Sequence, residues 1–121
     1  MSAFAKLSQL GPLDIWTGVR ARAVEGAQVT MAVVELAPNS IVPQHQHTNE
    51  QLGMVVKGSM AFTIGGERRE LSAGDTYVIP SNVPHEVAAG PTGAVAIDVF
   101  APIRADWQRF PPGPPDAPLW P

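Results

Sequence analysis

The sequence has no cysteine among its 121 residues. Disulfide bonds, thiolate metal sites and cysteine nucleophiles are therefore excluded, and the absence favours a cytoplasmic protein. No apolar run, Met31–Val34 included, approaches the length of a membrane-spanning helix, and residues 1–10 lack the apolar core of a signal peptide. Charged residues are scarce at 16%, the net charge is −3 and basic residues form no cluster. This balance argues against nucleic acid or an anionic membrane as a partner.

Proline and glycine, in contrast, are abundant, with 13 and 11 residues. Helices cannot accommodate so many of them, whereas short strands joined by tight turns can. Segments 28–36 and 51–57 are rich in β-branched and other apolar residues, and Gly65-Gly66 has the form of a two-residue hairpin turn. Turn signals recur about every ten residues. The pattern predicts an all-β domain of about nine short strands, arranged as a sandwich or small barrel around one core.

The composition changes at residue 111, because six of the last eleven residues are proline. Such a segment forms neither a helix nor an inner strand and is expected to be extended. Two arrangements stay open: the segment wraps its own domain or a partner subunit and buries Trp107 and Trp120, or it is disordered. The sequence therefore divides into a barrel domain, residues 1–110, and a proline-rich C-terminal tail, residues 111–121.

The three histidines form a candidate metal site. His45 and His47 are two residues apart and so point to the same face of an extended strand. Gln51 follows four residues after His47, where a short turn can bring its amide oxygen back, and His85 follows about forty residues later. Imidazole nitrogens with one oxygen donor suit a divalent transition metal such as Zn, Ni, Fe or Mn. For such a pattern taken alone, the more common arrangement is not a metal site. His45 and His47 would then lie in a polar loop, and His85 would be an ordinary hydrogen-bonded turn residue.

The last predicted strand, residues 94–100, carries a second group of candidate residues. Alternation puts small residues, then Asp98 and Phe100, on one face, and purely aliphatic residues on the other. A carboxylate in an apolar strand is costly unless it is paired or used in chemistry. Arg104 lies six residues after Asp98 and can reach back to it or bind a substrate carboxylate in a bidentate manner. The plainer alternative is an ion pair between Asp98 and Arg104 that locks the C-terminal turn.

The spacings around the histidines resemble the two sequence motifs of the cupin superfamily. The motif residues are Asn39, His45, His47, Gln51 and Gly58 in the first segment, and Gly74, Pro80, Asn82 and His85 in the second. The resemblance implies a double-stranded β-helix, or jelly-roll, barrel that holds one metal ion in its interior. It also implies a homodimer.

Three of these positions depart from the family pattern. Asn39 and Asn82 stand where the family has glycine, and both turns are expected to survive because asparagine tolerates a left-handed backbone. Gln51 stands where the usual ligand is glutamate. With neutral ligands only, the double positive charge of the metal stays uncompensated, so the site is expected to bind and polarise an anionic, oxygen-rich small molecule.

A narrower resemblance is to the KdgF group of small cupins, named after a pectin-degradation protein, and is carried by segments 45–53 and 98–104. Members of that group open unsaturated uronate rings to linear keto acids. The resemblance implies four metal ligands, His45, His47, Gln51 and His85. It also implies three catalytic residues, with Asp98 as general acid or base, Phe100 as an apolar wall and Arg104 neutralising the substrate carboxylate. An iron-dependent dioxygenase with a more apolar pocket and a non-enzymatic ligand-binding cupin remain as alternatives.

Overall fold

The computed structural model describes residues 2–121, which fold into antiparallel strands and two short 3-10 helices, Leu7–Gln9 and Ala105–Arg109. The strands are β1 (Leu13–Trp16), β2 (Val19–Glu25), β3 (Thr30–Leu36), β4 (Ile41–His45), β5 (Glu50–Ile64), β6 (Glu67–Ser72), β7 (Thr76–Ile79) and β8 (His85–Ala101). They pair in the order β1-β2-β3-β8-β5-β6, while β4 also pairs with β8 and β7 with β5. The predicted all-β jelly-roll barrel is confirmed. Within residues 2–121, no helix has the length and hydropathy needed to cross a bilayer.

Two long strands, β5 and β8, connect the two halves of the barrel, where the sequence predicted four shorter strands, at residues 51–57, 59–64, 86–89 and 94–100. The prediction was wrong because glycine at Gly58 and Gly93 bends each strand without ending its pairing. Both have positive φ, +73° and +79°, and a Cβ on Gly58 would lie 2.0 Å from the carbonyl oxygen of Gly93. The sequence also missed β4 and most of β2. Asn39 and Asn82 adopt left-handed backbone with φ of 59° and 62°, as expected.

The core lies inside the barrel, where alternate residues of each strand point inward. Val19 and Ala21 of β2, Val55 of β5 and Ile79 of β7 are almost completely buried. Each such aliphatic side chain larger than alanine contributes about 1.5–3 kcal/mol relative to an exposed one. The second 3-10 helix packs against the same core through Trp107, which is 7% exposed.

The C-terminal tail lies against the outer face of the barrel. The guanidinium of Arg22, which is 1% exposed, pairs with the carboxylate of Asp116. Further along, the backbone N–H of Leu119 donates to Glu35 Oε2 at 2.8 Å, and Lys57 Nζ donates to the Leu119 carbonyl at 3.0 Å. The tail therefore crosses β2 and β3 and reaches β5, and it covers Arg22 and Glu35, which also pair with each other at 3.7 Å.

Candidate metal centre

Three histidines converge inside the barrel. His45 ends β4, His85 begins β8, and the two are direct cross-strand partners, while His47 lies in the loop after β4. Their ring centroids are 4.2 Å apart for His45 and His85 and 4.9 Å apart for His47 and His85. One ligand atom of each residue lies within 4.8 Å of the other two. The structure thus brings together the three histidines that the sequence spacing predicted.

Backbone carbonyls fix which nitrogen of each ring faces the cluster. The Nδ1 atoms of His45, His47 and His85 lie 2.9, 3.0 and 2.8 Å from the carbonyl oxygens of Pro43, Asn49 and Val83. Because a carbonyl only accepts hydrogen bonds, each Nδ1 carries the proton and each Nε2 keeps its lone pair. Three unprotonated nitrogens therefore remain for a shared ligand.

Burial keeps these rings neutral. It lowers the pKa of His85 to about 4 and lowers the pKa values of His45 and His47 below the ordinary value of 6.5. Neutral imidazole is the form that binds a metal ion. The Nε2 of His85 is buried with no hydrogen-bond partner among the described residues, which is the environment of an atom reserved for a cation.

Gln51, on the inner face of β5, adds an oxygen to the cluster. Its side chain is buried, and Oε1 lies 3.2 Å from His47 Nε2. The Gln51 side chain also lowers the pKa of the Asp98 carboxyl group, which agrees with an amide nitrogen turned toward Asp98 and an Oε1 turned toward the histidine. A lone pair on nitrogen and a lone pair on oxygen then face each other at hydrogen-bond distance, an arrangement that a cation between them stabilises. The donor set of three imidazoles and one amide oxygen fits a divalent transition metal.

Asp98 lies beside this cluster on the inner face of β8. It is 6% exposed, and burial raises the pKa of its carboxyl group to about 6. Hydrogen bonds from Tyr77 and Gln51 and the positive charge of Arg104 oppose that increase. The Tyr77 hydroxyl donates to Asp98 Oδ1 at 2.5 Å. Sequence reasoning missed Tyr77, although it is the one tyrosine of the chain and sits at an inward position of a short apolar strand.

Arg104 has a different partner from the one the sequence suggested. Its salt bridge among the described residues is with Asp106, through Nε and Nη2 at 3.0 and 2.9 Å, and not with Asp98. The guanidinium carbon lies 4.7 Å from the ring centroid of Phe100 and 4.5 Å from that of Trp107. Because Asp106 uses only the Nε–H and one Nη2–H of the guanidinium, the two Nη1–H groups and the second Nη2–H remain as donors, which is enough for a bidentate contact to a substrate carboxylate.

Asn49 links the histidine loop to the segment that carries Arg104, and sequence reasoning missed it. The buried Asn49 side chain donates from Nδ2 to the carbonyl oxygens of Pro102 and Ile103 at 2.6 and 3.0 Å. Its own carbonyl accepts the hydrogen bond from His47 described above. Nothing in the sequence distinguishes this asparagine from an ordinary loop residue, because its partners are more than fifty residues away.

One cavity joins these groups. It has a volume of about 60 Å³, and His45, Gln51, His85, Asp98, Phe100 and Arg104 line it. His47 lies next to it, with its ring centroid 5.8 Å from that of Phe100. The remaining wall is largely aliphatic, formed by residues such as Val34, Leu36, Val42 and Met60. Polar chemistry is therefore confined to one side of an otherwise apolar chamber.

Known proteins resemble this chain in sequence and structure. The family model described as the cupin domain matches residues 32–100. The pectin degradation protein KdgF of Dickeya dadantii (strain 3937) is 33% identical over 96 residues, which cover 78% of this chain and 87% of that protein. The H2HPP isomerase of Bacillus subtilis is 33% identical over 69 residues, covering 56% of this chain and 29% of the isomerase. The structure of KdgF from Halomonas sp. superposes with a TM-score of 0.80 at 27% identity, covering 88% of this chain and 98% of that one.

The matched segment contains the three histidines, Gln51 and Asp98, and the resemblance to KdgF extends over most of the chain. Together with the three-histidine cluster, these relatives indicate a metal-dependent enzyme that acts on a small molecule. Fold, motif spacing and sequence similarity agree, and the chain belongs to the cupin family.

Proposed function

We propose that this cupin is a metal-dependent isomerase that opens the ring of an unsaturated uronate-type sugar acid. The observation that carries the proposal is a buried carboxylate, Asp98, which lines the same cavity as Gln51 and two of the histidines, together with the positive charge of Arg104. Similarity to KdgF, a protein named for pectin degradation, supports the substrate class, because pectin is a polymer of uronate residues.

His45, His47, Gln51 and His85 are the proposed metal ligands. A divalent ion held there, whether Zn, Ni, Fe or Mn, supplies a Lewis acid that neutralises an anionic substrate oxygen. Since all four ligands are neutral, the charge that attracts the substrate is not reduced by the protein itself. A metal ion held by these four residues would keep the substrate at the polar side of the cavity, within reach of Asp98.

Asp98 is the proposed general acid and base. Its pKa of about 6 leaves the carboxylate mostly ionised at pH 7. The pKa is also close enough to pH 7 for the protonated form to return a proton to the substrate. In the proposed isomerisation Asp98 removes the proton from the hemiacetal hydroxyl, the bond between carbon 1 and the ring oxygen breaks, and a proton is delivered to carbon 4 of the former enol ether. The product has a carbonyl at carbon 1 and another at carbon 5, so atoms and electrons balance without an oxidant.

Arg104 and Phe100 position the substrate in this proposal. Arg104 offers the free N–H groups of Nη1 and Nη2 and a positive charge to the substrate carboxylate, while Asp106 and the two aromatic rings hold its guanidinium in place. Phe100 provides an apolar wall next to His47 that excludes water from the reacting carbons.

The test is to incubate the zinc- or nickel-loaded protein with a 4,5-unsaturated monouronate and follow the ultraviolet absorbance of its conjugated double bond. We expect the absorbance to fall faster than in buffer with the same metal. Asp98→Asn should reduce the rate to the buffer level, whereas Glu86→Gln, which alters an exposed carboxylate on the same strand, should leave it unchanged. A wild-type rate equal to that in buffer would refute the proposed activity.

The aliphatic wall of the cavity favours a second candidate, a dioxygenase that acts on a small organic substrate. That function requires iron in the cluster and consumption of dioxygen. Elemental analysis of the purified protein and an oxygen electrode separate the two candidates, because an iron-free protein that isomerises the uronate is not a dioxygenase.

We also propose that the protein is a homodimer. One row of apolar side chains crosses the outer face of β2, β3, β8, β5 and β7 and includes Val24, Met31, Leu52 and Val78, each between 44% and 57% exposed. A continuous apolar row of this kind is typical of a protein interface. Light scattering should give twice the chain mass of 12.8 kDa, and Leu52→Glu, at the centre of the row, should give the single mass.

A further inference from the structure

Tyr77, Gly53 and Asp98 lie in one row across three neighbouring strands. Gly53 of β5 pairs with Tyr77 of β7 on one side and with Asp98 of β8 on the other. Residues in such a row point to the same face of the sheet, so the side chains of Tyr77 and Asp98 are separated by whatever the middle residue carries. Here the middle residue carries no side chain.

The missing side chain of Gly53 is what allows the other two to touch. A Cβ at this position would lie 2.2 Å from two ring carbons of Tyr77 and 2.3 Å from Asp98 Oδ1. Both distances are well inside van der Waals contact, so the buried Tyr77 ring and the Asp98 carboxylate would have to move apart to admit a Cβ. The space above Gly53 is therefore filled by the Tyr77 hydroxyl and the Asp98 carboxylate, which hydrogen-bond there at 2.5 Å.

The tyrosine is fixed independently of the carboxylate. Its side chain is 8% exposed, and its ring centroid lies 4.6 Å from that of Phe62. Burial is the main cause that raises the pKa of the Tyr77 hydroxyl well above its ordinary value of 10. The hydroxyl therefore remains a hydrogen-bond donor at neutral pH. The carboxylate, in contrast, sits on a side chain whose terminal torsion is broad.

We propose that Tyr77 is a positioning residue that acts through Asp98 on Gln51. The Tyr77 hydroxyl donates to Oδ1 of Asp98, and Oε1 of Gln51 lies 3.2 Å from His47 Nε2. In the proposed arrangement the carboxylate between them, which lines the same cavity as Gln51, holds the Gln51 amide nitrogen and so directs the amide oxygen at the histidine cluster. Gly53 is the residue that makes the arrangement possible. The part of this inference that concerns turnover rests on the proposed uronate isomerase, whereas the part that concerns Gln51 does not.

Loss of the Tyr77 hydroxyl should have two consequences. Without the hydroxyl, the carboxylate of Asp98 rotates more freely and Gln51 loses the contact that selects its orientation, so an oxygen ligand is presented to the metal for only part of the time. Removal of an outer hydrogen-bond partner of this kind typically costs 10- to 100-fold in metal affinity or activity. The Asp98 carboxylate is also less well oriented for proton transfer to the substrate, which lowers kcat. Substrate binding through Arg104 stays intact.

The test uses Tyr77→Phe, which removes the oxygen and keeps the ring, with Phe62→Leu as a matched control that loosens the same packing but leaves the hydroxyl. In the metal-free wild type, proton NMR should detect a slowly exchanging hydroxyl proton shifted downfield by the short hydrogen bond, and Tyr77→Phe should lack it. Calorimetric titration with Zn²⁺ alone should give an affinity about tenfold weaker in Tyr77→Phe than in Phe62→Leu. With the uronate, kcat should fall about tenfold while KM stays constant.

The outcomes separate this inference from the proposed function. Equal zinc affinity in wild type and Tyr77→Phe would overturn the role of Tyr77, whatever the substrate. Equal losses in Tyr77→Phe and Phe62→Leu would assign the effect to packing and overturn it as well. Absence of uronate turnover in the wild type would overturn the proposed activity, while the NMR and zinc titrations would still decide the inference about Gln51. Gly53→Ala gives a second variant, which should lose the downfield proton although Tyr77 is present.

Discussion

Substitution of Asp98 should stabilise the metal-free protein while it abolishes the proposed activity. Burial raises the pKa of the Asp98 carboxyl group from 3.8 to about 6. Since one pKa unit corresponds to about 1.4 kcal/mol, ionised Asp98 destabilises the folded state by about 3 kcal/mol. Because the pKa of Asp98 is higher in the folded protein, the folded protein binds the proton of this carboxyl group more tightly than the unfolded chain does. The resulting stability is fully present below pH 3.8 and is lost as the pH rises through about 6.

The substitution Asp98→Asn keeps the shape of the side chain and leaves no charge to bury. The Oδ1 of the introduced amide can still accept the hydrogen bond from Tyr77, although its Nδ2 cannot accept from Gln51, so the variant should raise the free energy of unfolding by up to about 3 kcal/mol at pH 7 and by almost nothing at about pH 4. For a chain of this length the difference at neutral pH corresponds to roughly 10 °C in Tm. The buried histidines also titrate in this range, but both proteins contain them, so the difference between the two isolates Asp98.

The assay is denaturant-induced unfolding in EDTA at pH 4, 5, 6 and 7, followed by tryptophan fluorescence. Glu86→Gln, which removes an exposed carboxylate from the same strand, should track the wild type at every pH. A stability difference between Asp98→Asn and wild type that does not grow with pH would contradict the account of Asp98 as a buried, energetically costly base.

Three further predictions concern the surroundings of the site. Asn49→Ala removes both hydrogen bonds to the carbonyls that precede Arg104, so we expect KM for the uronate to rise about tenfold in steady-state kinetics, while zinc affinity stays near wild type because only a backbone atom contacts His47. Zinc at about 100 times its Kd should stabilise the wild type by about 2.7 kcal/mol in thermal unfolding, EDTA should reverse this, and His85→Ala should show no such stabilisation. The hydrogen bond from Arg20, more than any other cause, lowers the pKa of the Asp116 carboxyl group below its ordinary value of 3.8. The contact between the tail and the barrel is therefore complete above pH 3.8 and is lost as the pH falls through the lowered pKa of Asp116. Asp116→Asn should accordingly speed cleavage of the tail in limited proteolysis at neutral pH, and unchanged cleavage would rule out this latch.

The sequence was informative where function depends on short-range spacing. The step of two residues from His45 to His47 and the step of four from His47 to Gln51 are local quantities. They suffice to identify the cupin motifs and the barrel that the structure and the comparisons confirm. The alternation in β8 likewise predicts that Asp98 and Phe100 share a face, and both line the cavity. That the four predicted ligands bind a metal, and that residues 111–121 form a separate tail, stay predictions.

Long-range partners were beyond the reach of the sequence. Arg104 pairs with Asp106 and not with Asp98, because the segment after β8 is held by Asn49 and by Thr30, whose Oγ1 accepts the hydrogen bond from the Arg104 backbone N–H at 3.0 Å. Such contacts join residues more than fifty positions apart, and no periodicity reports them.

Sequence alone therefore determined the class of fold, the motif residues and the inward face of the last strand, since each follows from steric preferences over a few neighbouring residues. Only the tertiary structure decided that Tyr77 reaches Asp98 over Gly53. That contact depends on the register of three strands, and the register of β5 against β8 changes at two places, between Val55 and Lys57 and between Gly58 and Met60. A shift of one residue would turn each of these side chains to the opposite face of the sheet, so the meeting of hydroxyl and carboxylate is a property of the assembled barrel.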